Sequence, residues 1–152
     1  MKIKLTEAYK RIVGDKIPSY ATIGSCGVDM YACIDEPVTL TRGQSRLIPS
    51  GVHFDIMSSM NNVVGVLVPR SSTGSKGYSL ANTIGVIDSD YTGEVLMNIQ
   101  NTSLESITIE PGMRLAQVIF MPVLKPRFVE LTDEEELTIT QRGAGGFGST
   151  GK

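Results

Sequence analysis

The sequence predicts an all-β protein, a sandwich or a jelly-roll-like barrel, and three observations carry that prediction. Short runs rich in β-branched and aromatic residues recur along the 152 residues, proline and glycine separate nearly all of them, and only two stretches have helical character. In chain order the runs are Ile3–Leu5, Val28–Tyr31, Val38–Leu40, Ser45–Ile48, Val52–Ile56, Val63–Val68, Glu94–Gln100, Ile107–Ile109, Ala116–Phe120 and Arg127–Leu131. Pro49-Ser50-Gly51 and Glu110-Pro111-Gly112 fall between runs, where the fixed φ of proline and the positive φ open to glycine make turns. Helical turns are expected at Thr6–Arg11 and within Ser71–Leu80, the second weakened by Gly74 and Gly77. Two segments break the pattern: the charged stretch Thr132–Glu136, and a terminal run, Gly143–Lys152, with five glycines among ten residues. That run has almost nothing to bury, so it is expected to stay mobile unless something holds it.

At 41% hydrophobic residues the chain can build one real core, and a second domain is not expected. Lys and Arg number 14 against 16 Asp and Glu, for a net charge of −2 without a basic block. Nucleic-acid binding through bulk charge is excluded on that balance, so any anionic ligand must be met by local groups. Cys26 and Cys33 have no His or Cys partners at zinc-ligand spacing and read as two buried thiols in a reducing compartment. The start, MKIKLTEAYKRIV, lacks the apolar stretch of a signal peptide, and no run approaches the roughly 20 apolar residues that span a bilayer. A cytoplasmic protein without membrane contact is the expectation.

Several short motifs bear chemistry. The terminal Arg142-Gly-Ala-Gly-Gly-Phe-Gly-Ser-Thr-Gly-Lys152 contains literal matches to two nucleotide-binding patterns, and both fail on context. Gly143, Gly145 and Gly148 fit G-x-G-x-x-G, but the chain ends four residues later, with no helix to follow; Gly146–Lys152 fits G-x-x-x-x-G-K, but no metal-reaching hydroxyl comes next. Glycines interleaved with Arg, Phe, Ser and Thr suit a lid whose backbone amides approach a phosphate closely. Pro69-Arg70-Ser71-Ser72 follows an apolar run, setting a fixed charge and two hydroxyls at a strand exit, as an anion clamp requires. Asn82 precedes Gly85-Val86-Ile87-Asp88-Ser89-Asp90-Tyr91-Thr92-Gly93, a turn-rich hairpin with two carboxylates and an aromatic ring. Asp88 and Asp90 could be turn formers or a metal-binding pair, although hard cations usually take further carboxylates.

In order and wording these segments resemble the homotrimeric dUTPase family. Five of its motifs are matched: Cys26–Ala32, Pro69–Ser72, Gly85–Glu94, Arg114–Ile119 and Arg142–Gly151, the third and fifth being the most specific. Val28 departs from a commoner aromatic or leucine, and Ser72-Thr73-Gly74-Ser75 from a commoner Gly-Leu-Ala continuation.

The resemblance implies a distorted jelly-roll barrel over residues 1–141 and a glycine-rich arm over 142–152 that covers the active site of a neighbouring subunit in a homotrimer. It implies hydrolysis of dUTP to dUMP and pyrophosphate, which limits uracil in DNA and supplies dUMP for thymidylate synthesis. On this reading main-chain groups around Val86, Ile87 and Leu96 hold uracil, with Asn82 lining the pocket, and Tyr91 packs under the deoxyribose. Asp88 matches the general base that activates the attacking water, and Gln117 lies near that water and the α-phosphate. Arg70, Ser71, Ser72, Arg142, Ser149 and Thr150 match phosphate contacts, Phe147 stacks on uracil, and Gly148 belongs to the same arm. Magnesium (Mg2+) is expected chiefly on phosphate oxygens and waters, with Asp29 a possible outer-sphere partner. His53 receives no role. Two other readings remain: a dCTP deaminase, a relative that lacks such an arm, and a non-catalytic regulator built on the same scaffold.

Overall fold

The computed structural model describes residues 1–146. Ten strands and two short helices follow one another as β1 (Lys2–Leu5), α1 (Glu7–Ile12), β2 (Gly27–Tyr31), β3 (Val38–Leu40), β4 (Ser45–Asp55), β5 (Val63–Pro69), α2 (Ser71–Ser75), β6 (Tyr78–Leu80), β7 (Gly85–Ile87), β8 (Glu94–Asn101), β9 (Ile107–Ile109) and β10 (Arg114–Pro122). They make two four-stranded sheets, ordered β1-β4-β8-β6 and β2-β10-β5-β7, and a two-stranded ribbon, β3-β9. The paired strands run antiparallel, and the whole is a jelly-roll-like all-β fold.

Period-two patterning places the core between the sheets. Along β8, Val95, Met97, Ile99 and Asn101 point inward, and along β10 Leu115, Ala116 and Val118 do. Two adjacent buried residues, Leu115 and Ala116, are possible because the register against β2 slips between Arg114 and Ala116. Phe54 and Phe120 meet edge to face at 5.1 Å between ring centres. Asn101, fully buried, donates to the carbonyls of Leu40 and Glu105 and accepts from the amide and hydroxyl of Ser103, each at 2.8 Å. That satisfied amide ties the β3-β9 ribbon to the main sheets.

Several expectations are corrected. Ser45–Ile48 and Val52–Ile56 form one long strand, β4, which runs through Pro49-Ser50-Gly51 instead of turning there. Gly51 has φ +71°, and the pairing with β8 is irregular between Pro49 and His53, so the expected turn is absorbed as a bulge. The second helical stretch stops at Ser75 and Tyr78–Leu80 is strand, because Gly74 and Gly77 remove helix propensity and Tyr78 and Leu80 bury in the core. Gly85–Ile87, at the start of the expected hairpin and absent from the expected strands, is a strand paired with β5.

Arg127–Leu131 is not a strand. Among the described residues regular structure ends at Pro122, and Leu124, Phe128 and Val129 are 95%, 90% and 78% exposed. A β-type composition cannot become a strand without a neighbour to bond, and no strand among the described residues pairs with that segment. Cys26 is exposed and only Cys33 is buried, because Cys26 precedes β2 at the rim while Cys33 sits beneath the β4 bulge. No helix among the described residues is long and apolar enough to cross a membrane, which says nothing of strands.

Candidate active site

Strand register brings distant motifs side by side. Across β5, β10 and β2 the partners Val68, Gln117 and Asp29 lie abreast, so Arg70, just past the end of β5, stands next to Asp29. The Arg70 Nε–H donates to one Asp29 carboxylate oxygen at 2.7 Å, and an Arg114 guanidinium N–H donates to the other at 3.1 Å. Both guanidiniums retain further N–H groups for an anion. Thr73 fixes the backbone of Arg70: its hydroxyl accepts from the Arg70 amide and donates to the carbonyl of Leu115, both at 3.1 Å. Gln117 donates to the carbonyl of Pro69 at 3.2 Å, and its amide occupies the space that a β-carbon on Gly27 would take.

These groups line a cleft of about 260 Å³ containing Cys26, Asp29, Arg70, Ser71, Arg114 and Gln117. Two arginines against one carboxylate leave it cationic. Ser72 does not line it; its carbonyl accepts from the Ser75 hydroxyl inside α2.

A second cleft, of about 250 Å³, is bounded by Asn82, Val86, Asp88, Tyr91, Glu94 and Leu96. Here β7 is the last strand of its sheet, and the first half of β8 is bonded only on the β4 side. Two main-chain edges with spare N–H and C=O groups therefore border one cavity, with Val86 64% and Leu96 44% exposed. Thr83, next to Asn82, is held at φ +64°, an unusual strain for a β-branched residue.

Asp88 follows β7 in a turn closed by the Tyr91 amide donating to its carbonyl at 3.1 Å. Its carboxylate is exposed and has no hydrogen-bond partner among the described residues. The Tyr91 ring folds back so that its hydroxyl donates to the carbonyl of Glu94 at 2.9 Å. Glu94 accepts at 2.6 Å from the amide of Gly51, which locks the hairpin to the β4 bulge. His53 Nδ1 lies 3.0 Å from the carbonyl of Thr92 and supports the same hairpin.

Of the predicted residues, Asp29, Arg70, Ser71 and Gln117 line one cleft and Asn82, Val86, Ile87, Asp88, Tyr91 and Leu96 the other, and the two share no lining residue. Arg142 lines neither; its Nε–H donates to the carbonyl of Gly145 at 2.9 Å, in an exposed turn. Phe147, Gly148, Ser149 and Thr150 lie outside the described residues. Sequence reasoning missed Thr73 as the brace of Arg70 and gave no role to Arg114. Only the placement of Arg114 three residues before Gln117 hinted that it shares that cleft.

A β-barrel with a cationic, hydroxyl-lined cleft and a carboxylate-bearing hairpin cavity has the parts that an enzyme acting on a phosphorylated nucleoside needs. Residues 15–151 match the family model of dUTPase. The chain belongs to the dUTPase family and is an enzyme of that family. It is 44% identical over 137 residues, 90% of this chain and 88% of the relative, to the deoxyuridine 5'-triphosphate nucleotidohydrolase of Acinetobacter baylyi. The enzyme of the same name from Cronobacter sakazakii is 44% identical over the same share of this chain and 87% of its own length. Among solved structures, the Staphylococcus bacteriophage 80alpha dUTPase with dUPNHPP superposes with a TM-score of 0.81 at 25% identity, covering 99% of this chain and 98% of that one. The dUTPase of Streptococcus mutans gives 0.69 at 27% identity, over 84% and 100%.

Proposed function

We propose that the chain hydrolyses dUTP to dUMP and pyrophosphate at sites shared between copies of itself in a homotrimer. Family membership supports the reaction, and the observation that carries the site is the hairpin cavity, with its free backbone edges and an Asp88 carboxylate unpaired among the described residues. Main-chain groups at Val86, Ile87 and Leu96 hold the uracil edge, with Asn82 beside them. Cytosine presents the reversed donor and acceptor pattern and would leave buried polar groups unpaired. Tyr91 forms the floor under the deoxyribose and leaves no room for a 2'-hydroxyl.

Asp88 takes a proton from water as its oxygen attacks the α-phosphorus, and the bond to the bridging oxygen of the β-phosphate breaks, releasing pyrophosphate. Gln117 orients that water and the α-phosphate. Arg70, Ser71 and Ser72, joined by Arg142, Ser149 and Thr150 of an arm from a neighbouring copy, hold the triphosphate and offset its charge. Phe147 stacks on uracil and Gly148 lets the arm backbone approach. The dUMP released supplies thymidylate synthesis, and removing dUTP limits uracil in DNA.

No group of three or more His, Cys, Asp and Glu that could hold a metal stands among the described residues. That donor set fits a magnesium ion arriving on the triphosphate, with Asp29 meeting its water shell, since both Asp29 oxygens already accept from arginines. Bound there, the ion would offset phosphate charge. Asp29 itself holds Arg70 and Arg114 in place.

The separation of base cleft and phosphate cleft supports assembly, because one nucleotide needs both and a neighbouring copy can bring the second to the first. The exposed apolar residues Leu124, Phe128, Val129, Leu137 and Ile139 support it too, as surface that a neighbour would cover.

The test is Asp88→Asn. It is expected to bind dUTP with parental affinity while single-turnover hydrolysis falls about 10²–10⁴-fold, the usual contribution of a positioned base. A rate within threefold of the parent, as an order of magnitude for no role, would move the base elsewhere.

A further inference from the structure

We propose that Gly93 is a specificity-positioning residue: by having no β-carbon it seats the Tyr91 ring under the sugar and so sets discrimination between dUTP and UTP. The inference rests on Tyr91 being the sugar floor, and it is tested so that the two can fail separately.

Gly93 does not adopt the left-handed φ that forces a glycine elsewhere in the chain, as at Gly51 and Gly112. Backbone conformation therefore gives no reason for a glycine here, and space gives a strong one. A β-carbon on residue 93 would collide with the Tyr91 hydroxyl and lie 2.5 Å from Cζ and 2.9 Å from Cε2 of the same ring. Its three nearest contacts are all with Tyr91, so the ring fills the volume that any other amino acid would claim. The ring reaches that place because its hydroxyl donates to the carbonyl of Glu94 at 2.9 Å. Glu94 is in turn fixed by the Gly51 amide, which gives the bond a rigid acceptor.

Phenol atoms are joined in one plane and cannot yield one at a time, so a methyl at residue 93 has to expel the ring as a unit. Tyr91 is 45% exposed, and solvent offers it another rotamer at small cost. The expected consequence is a displaced floor in a hairpin that stays folded, and a displaced floor no longer rejects the ribose 2'-hydroxyl. The three atoms nearest the added methyl all belong to Tyr91, so the effect is expected to concentrate on the sugar.

The experiment compares kcat/KM for dUTP and for UTP in the parent, Gly93→Ala, Tyr91→Ala and the double variant, with a melting curve for each. Gly93→Ala is expected to narrow the dUTP preference over UTP by roughly 10–100-fold, the scale of a lost steric filter. In the Tyr91→Ala background the same change is expected to do nothing to selectivity, because the ring it acts through is gone. A purely structural role would lower both activities together and would act equally in both backgrounds, and either result overturns the proposal. Parental selectivity in Gly93→Ala, with selectivity lost in Tyr91→Ala, overturns the role of Gly93 while sparing Tyr91. Parental selectivity in Tyr91→Ala overturns the sugar floor and the proposal with it. Should Gly93→Ala not fold, a double variant that melts like Tyr91→Ala supports the steric seat, and a double that also fails overturns it.

Discussion

Gly51 sits where backbone and packing both exclude a side chain. Its φ is +71°, and a β-carbon there would lie 2.5 Å from the Tyr9 Cβ and 2.9 Å from the Cys33 sulfur. Its carbonyl also accepts from the Thr6 amide at 2.9 Å, one residue before α1, and its amide donates to Glu94. Gly51→Ala is therefore expected to destabilise the chain by roughly 2–5 kcal/mol, combining left-handed strain with overpacking. Urea unfolding measures it, and a loss under about 1 kcal/mol would show that the bulge relaxes freely. The contrast with Gly93 is one of cause. One glycine holds the fold, and the other shapes a seat for a side chain.

Among the elements, the contact of α1 with the β4 bulge is where the protein meets alkaline pH. Burial pushes the Cys33 thiol from its usual 9.0 up to about 11, with the Glu94 charge adding to it. Burial likewise pushes Tyr9 from 10.0 up to about 12, aided by Tyr31 and Cys33. Both groups are neutral when protonated, so the fold favours the protonated forms. The stability they contribute is whole below the usual thiol value of 9.0 and drains away as pH rises through about 11 for Cys33 and about 12 for Tyr9. Melting temperature is expected to hold to the lower value and fall beyond it. Thiol reagents give a companion test. Cys26 is exposed and Cys33 is not, so the native protein is expected to titrate one thiol quickly and the second only in denaturant. Two fast thiols would mean that the bulge opens readily.

For the whole molecule, the last regular strand ends at Pro122, and residues 124–144 are exposed throughout. The two main sheets and the ribbon make their core without them. Removing residues 143–152 is expected to leave the melting temperature within about 2 °C of the parent, since this glycine-rich run carries little apolar surface to bury. Hydrolysis is expected to fall by orders of magnitude, because the proposed closure of Phe147, Ser149 and Thr150 over the triphosphate is lost. Steady-state pyrophosphate release beside a melting curve checks both halves, and a truncated chain of parental rate would refute the arm. Light scattering on the same sample reads the assembly state, expected to remain three copies.

How much of this was legible from the residues alone varies with how local the cause is. The all-β class and most of the strands follow from side-chain period and turn chemistry, and short motifs single out the Asp88 hairpin and the Arg70 segment. These are local properties, written over a few consecutive positions. The sequence by itself thereby determined which segments extend and which family the motifs point to, and it singled out the residues proposed to meet a ligand. Partnership was decided by the tertiary structure. Pairing with β5 made Gly85–Ile87 a strand, and the lack of any neighbour left Arg127–Leu131 without one, although both segments have β-type residues. Register across β5, β10 and β2 delivered Asp29 to Arg70 and Arg114 from 41 and 85 positions away along the chain. The volume over Gly93 is filled only because a ring two residues earlier folds back over it. Contacts of this kind depend on where three dimensions bring the chain, and no local pattern encodes that distance.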